Sequence, residues 1–113
     1  MSDRLPTGVL VGALLRRAND AGGMAMVLAR GDDQAGSMLL ILREKWAFVG
    51  MAEPGRNLDG AAILTRVGPD ESADAPTIDD YWKRRRARDP DLWVIELDIP
   101  SAERFAAETI FGG

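Results

Sequence analysis

Apolar residues recur at helical spacing near the start of the chain. Val9, Leu10, Ala13, Leu14 and Ala18 fall on one side of a helix that the pattern predicts over about residues 8–21. Val11 and Leu15 widen the apolar side, so this helix should be well covered. Thr7, after Pro6, reads as its N-cap, and Gly22 and Gly23 supply the stop. Gly12 costs the helix about 1 kcal/mol relative to alanine, and close packing is the use the sequence suggests for it.

The pattern then shortens to strand length. Residues 24–30 are apolar on both faces, which predicts a strand inside the sheet. A polar loop at residues 31–36 leads to a second strand over 37–43, a turn at Glu44-Lys45, and a third strand over 46–51. Loop residues fill 52–60, including Pro54, Gly55, Asn57 and Gly60, before a fourth strand over 61–67 and an acidic loop over 68–76. Thr77, with Asp80 three residues on, reads as the start of a second helix on which Ile78, Tyr81, Trp82 and Arg85 share one face. Pro90 ends it. Residues 92–98 form a fifth strand with Trp93, Ile95 and Leu97 inward and Glu96 and Asp98 outward. Ser101 caps a short final helix through Phe105, Ala106 and Ile110. Grouped strands with short connections predict one α+β domain over residues 1–113. Its sheet has about five strands, mainly antiparallel or mixed if the last strand pairs parallel, with two main helices packed on one face.

Composition narrows the chemistry. The chain has neither histidine nor cysteine, which removes Ser–His triads, thiolate nucleophiles and ordinary zinc sites. No apolar run approaches the ~18 residues of a membrane span, and no secretory pattern opens the chain, so a cytoplasmic protein without membrane contact is expected. A net charge of −4 disfavours nucleic acid as a whole-chain partner. No cofactor is expected.

Four constellations remain. Gly31 to Ser37 has the glycine spacing of a phosphate loop, but the lysine is missing and a strand follows. A hairpin loop is the plain reading, with a weak cation site on Asp32 and Asp33 as the alternative. Lys83, Arg84, Arg85, Arg86 and Arg88 form the strongest charge cluster, beside Tyr81 and Trp82. Trp82, Lys83, Arg84, Arg86 and Arg88 are therefore the candidate partner-binding residues. The bland reading is a solvated helix end, with Asp79 and Asp80 placed to pair Lys83 and Arg84. Asp91, Glu96 and Asp98, with Asp89, are the weak metal or general-base candidates. Trp93 reads as core. Trp46 and Trp82 read as core or semi-core, with a partner anchor as the alternative, and Trp46 or an exposed edge strand could support a homodimer.

Residues Tyr81 to Glu96, and above all the run Asp89-Pro90-Asp91-Leu92-Trp93, resemble the signature of a small, mostly alphaproteobacterial family known only as domain of unknown function 1491. The arginine-ending helix Leu14-Leu15-Arg16-Arg17 and the turn Gly31-Asp32-Asp33 with Gly36 resemble it too, so the likeness spans about residues 7–98. Trp82 stands where a leucine-like residue is usual, and the stretch from Pro100 reads as this chain's own. The resemblance implies one cytosolic domain and brings no activity with it. Physically, the signature suggests a helix-to-strand corner clamp made by Arg85, Asp89, Pro90, Asp91 and Trp93. Arg84 or Arg85 would bond the turn, and Asp89 would bridge to Arg85 or Arg86. The expected function is a non-catalytic protein-binding domain using the basic-aromatic helix. A carboxylate-based metal-binding domain or enzyme is the alternative, and weak nucleic-acid binding the third reading.

Overall fold

The computed structural model describes residues 5–112. Its elements are α1 (Thr7–Asp20), β1 (Met24–Ala29), β2 (Met38–Glu44), β3 (Ala47–Arg56), β4 (Ala62–Val67), α2 (Ala75–Arg88), β5 (Trp93–Asp98) and α3 (Ala102–Phe111). They build an α+β fold on one open, mixed, five-stranded sheet of order β1-β5-β2-β3-β4. Only the β2–β5 pair is parallel. The other three are antiparallel.

Two expectations change here. β1 is an edge strand, because β5 inserts between it and β2. Its two apolar faces have a different cause: Ala25 and Val27 pack on one core cluster, while Leu28 and Ala29 pack on the other after a bulge. The helices also divide between the faces. α1 and α3 bury Leu10, Leu14, Ala18, Ala102 and Ala106 against Leu40, Leu42, Trp93, Ile95 and Leu97. α2 places Ile78 over Leu39, Ile41, Met51 and Val94 on the opposite face. Strand alternation imposes this split, since consecutive residues of β2 and β5 point to opposite sides and both sides are apolar.

The β2–β3 turn falls one residue later than the sequence suggests. Glu44 pairs with Ala47, and Lys45 and Trp46 occupy the turn with φ of 51° and 72°, the signature of a type I′ hairpin. Neither is glycine. The Asp98 carboxylate offsets the strain by accepting the Lys45 N–H at 2.9 Å and the Trp46 N–H at 2.8 Å. Trp46 is therefore lifted off the sheet and is 73% exposed.

β3 runs on through residues expected as loop. Its pairing with β2 ends at Leu40↔Ala52, yet its pairing with β4 continues to Arg56↔Ala62. Pro54 fits because this stretch has an open side where no ladder bond is required. The caps differ as well. Thr7 is the first helical residue, and its hydroxyl donates to the Gly36 carbonyl at 2.7 Å instead of capping. Asp74 caps α2, accepting the Thr77 N–H at 3.0 Å. Hydrogen bonding from Thr77, by side chain and then backbone, holds the Asp74 carboxyl below the usual carboxylate range. Ser101 precedes α3 but makes no side-chain cap bond. No helix among the described residues is long and apolar enough to cross a membrane.

Candidate functional site

The basic cluster occupies the last two turns of α2, where cations complement the carbonyl end of the helix dipole. The 3.6-residue period sorts it into anchors and exposed groups. Ile78 is buried, Tyr81 and Trp82 are half-buried, and the Tyr81 ring lies against Gly68, which sits at φ +71°. Arg85 also faces inward. Its Nη1 lies 2.8 Å from Glu53 Oε1 on β3 and 3.0 Å from the Tyr81 hydroxyl. Burial alone would lower the pKa of Arg85, but the adjacent Glu53 carboxylate and Tyr81 oxygen outweigh it and raise that pKa above the usual arginine value. Arg86 reaches across to the residue that follows β1 and donates from Nη2 to the Arg30 carbonyl at 2.8 Å. Its Nε is buried without a hydrogen-bond partner. Arg85 and Arg86 therefore tie α2 to the sheet, and neither side chain bonds to Asp89.

Lys83, Arg84 and Arg88 face solvent. Arg84 Nε pairs with Asp80 Oδ2 at 2.9 Å, as the i,i+4 spacing suggests. Asp79 instead accepts the Trp82 indole N–H at 3.3 Å. Lys83 Nζ stands over the Trp82 ring, 5.6 Å from its centroid. Among the described residues, neither Lys83 nor Arg88 has an ion-pair partner.

Beneath this helix lies the corner. The Asp89 N–H donates to the Arg85 carbonyl at 3.0 Å, and Asp89 Oδ1 accepts the Asp91 N–H at 3.1 Å. Asp91 takes part through its backbone: its carbonyl accepts the Asp32 N–H at 3.0 Å. Trp93 is 3% exposed, and its indole N–H donates to the Asp32 carbonyl at 2.8 Å. The glycine-aspartate loop thus docks on the Asp-Pro-Asp-Leu-Trp corner. Gly31 and Gly36 both abut the Asp91 carbonyl oxygen. The same loop closes the start of α1, where Gly8 N–H donates to the Asp33 carbonyl at 2.8 Å and Thr7 N–H to the Gln34 carbonyl at 3.3 Å. Asp89→Ala should lower stability by about 1 kcal/mol through loss of the bond to the Asp91 N–H. An unchanged midpoint in urea unfolding would count against it.

Of the metal candidates, Asp32, Asp33, Glu96 and Asp98 have partners within the protein. Asp32 Oδ2 accepts the Gln34 and Ala35 N–H groups at 3.2 and 2.8 Å, and Asp33 pairs with Arg30 at 3.2 Å. Glu96 pairs with Arg43 at 2.8 Å, while Asp98 holds the β2–β3 turn. Asp91 precedes β5, whereas Glu96 and Asp98 lie at its far end. Among the described residues, no group of three or more acidic side chains could hold a metal ion. Sequence reasoning missed Glu53 and Arg30, the two groups that receive Arg85 and Arg86. Neither carries a local signal, because each meets its partner only through the fold.

A family model described as a protein of unknown function, DUF1491, matches residues 5–107. The chain belongs to the DUF1491 family. The match continues past Asp98 into α3, so the segment after Pro100 is largely part of the family pattern, contrary to the sequence reading. A crystal structure of a DUF1491 family protein from Caulobacter crescentus CB15 is similar at a TM-score of 0.76 and 28% identity, over 89% of this chain and 94% of that one. An NMR structure of a DUF1491 family protein from the same bacterium gives 0.69 and 28%, over 96% and 94%. A solution structure of an A. tumefaciens protein gives 0.64 and 25%, over 85% and 86%. No curated protein matches significantly.

Proposed function

We propose that this DUF1491 protein is a non-catalytic interaction domain of the cytosol, and that the solvent face of α2 contacts an acidic segment of a partner protein. The observation that carries this reading is the pair Lys83 and Arg88. Both are exposed and lack an ion partner among the described residues, on a chain of net charge −4. Lys83 stands over the half-buried Trp82, whose ring offers an apolar contact beside the charge. Unpaired cations on an acidic protein favour an acidic partner by charge complementarity.

The test is copurification from the protein's own cells with tagged parent and a Lys83→Glu/Arg88→Glu variant. These two positions are chosen because Arg86 ties α2 to the Arg30 carbonyl just after β1 and Arg84 is paired with Asp80. One partner should copurify with the parent, fall away as salt is raised, and be lost from the variant while its circular dichroism spectrum is unchanged. Equal recovery with both proteins, or no specific partner with either, overturns the reading.

A further inference from the structure

On the α1 and α3 side of the sheet, β3 parts from β2 and leaves a cleft of about 800 Å³. Its cause is local. The β2–β3 ladder stops at Leu40↔Ala52, and Pro54, which has no N–H, cannot extend it. The cleft is lined by Ser37 and Met38 on one strand, Pro54 and Arg56 on the other, and Leu10 and Ile110 from α1 and α3. Its size falls within the usual range for small-molecule sites, about 300–1,000 Å³.

Arg56 is the one charged residue among those lining it, and it is held in place. Its Nη1 donates to the Gly60 carbonyl at 2.7 Å. That carbonyl is presented by a turn in which Asn57 Oδ1 accepts the Asp59 and Ala61 N–H groups at 2.9 and 3.0 Å. No carboxylate among the described residues pairs with Arg56. A pre-oriented guanidinium with N–H groups to spare, in a cleft of mixed polar and apolar lining, suits one oxyanion joined to an apolar body.

We propose that this cleft binds a small carboxylate with an apolar body, the carboxylate on Arg56 and the body on Leu10, Met38 and Ile110. Octanoate is the probe, and octan-1-ol its uncharged counterpart, each titrated into isotopically labelled protein and followed by amide NMR shifts. Octanoate should saturate shifts around Ser37, Arg56 and Ile110 and bind more tightly than octan-1-ol. Arg56→Gln should weaken octanoate about tenfold and leave octan-1-ol unchanged. Ser37→Trp, at an exposed position whose hydroxyl makes no hydrogen bond among the described residues, should fill the cleft and abolish both while the fold's remaining amide pattern persists. Lys83→Glu/Arg88→Glu should have no effect, which separates this site from the α2 surface. Absence of saturable shifts at the cleft, equal affinity for octan-1-ol, or full octanoate affinity in either cleft variant overturns the proposal.

Discussion

Trp93→Ala should lower the unfolding free energy by about 3–5 kcal/mol, a large share of the about 5–15 kcal/mol typical of a domain. Two losses combine. The indole is 3% exposed and packs in the core beneath α1 and α3, so its removal leaves a cavity that rigid strands on either side cannot close. It also donates to the Asp32 carbonyl at 2.8 Å and carries the Arg30 guanidinium 5.4 Å above its ring, so the loop over residues 31–36 loses its anchor. Trp93→Phe separates the two, keeping most of the ring and losing the indole N–H, and should cost about 1–2 kcal/mol. Urea unfolding followed by far-ultraviolet circular dichroism is the measurement, because the mutation removes a fluorophore. A loss below about 1 kcal/mol for alanine would show that the ring is not the keystone of this junction.

Gly36→Ala should cost about 3 kcal/mol, at the upper end of ordinary overpacking. The added Cβ would overlap the Asp91 carbonyl oxygen and lie 2.8 Å from the Asp32 carbonyl oxygen and 2.9 Å from the Asp32 nitrogen. All three are backbone atoms, so relief requires the loop to lift off the corner and to release its hold on α1. Gly31→Ala should behave alike, since its Cβ would meet the same carbonyl and stand 2.7 Å from the Trp93 backbone nitrogen. Gly12→Ala is the contrasting control. Only the flexible Arg16 side chain approaches that position, at 3.3 Å, so the close packing suggested for Gly12 is absent and alanine should gain about 0.5–1 kcal/mol of helix propensity. Loss at Gly12 equal to that at Gly36 would mean the effect is general rather than a clash at the junction.

Much of the local structure was legible. The period of α1, the alternation of β5 and the Pro90 stop are readable because each depends on neighbouring residues. The helix starts were less so, because Thr7 and Thr77 qualify as caps by type while Pro6 and Asp74 take those positions. For Thr7 the difference is tertiary: its hydroxyl is used by Gly36, 29 residues away in sequence. The basic run on α2 was visible as a run, but its division into tethers and exposed cations was not. Periodicity placed Arg85 on the face of Ile78, Tyr81 and Trp82 without naming Glu53, and nothing local placed Arg86 on Arg30. The cleft at Arg56 had no signal at all, since it exists only where two strands stop pairing.

Sequence by itself determined the kinds of element, their order, the family, and the exclusion of histidine and cysteine chemistry. These follow from residue type and short-range spacing. The tertiary structure decided that β5 enters between β1 and β2, that the helices divide between two faces, and that the glycine-aspartate loop and the Asp-Pro-Asp-Leu-Trp corner are one junction. It also decided that Asp98 holds the β2–β3 turn. Each of these outcomes depends on hydrogen bonds and packing between residues tens of positions apart, and strands that are apolar on both faces carry no mark of which neighbour they will take.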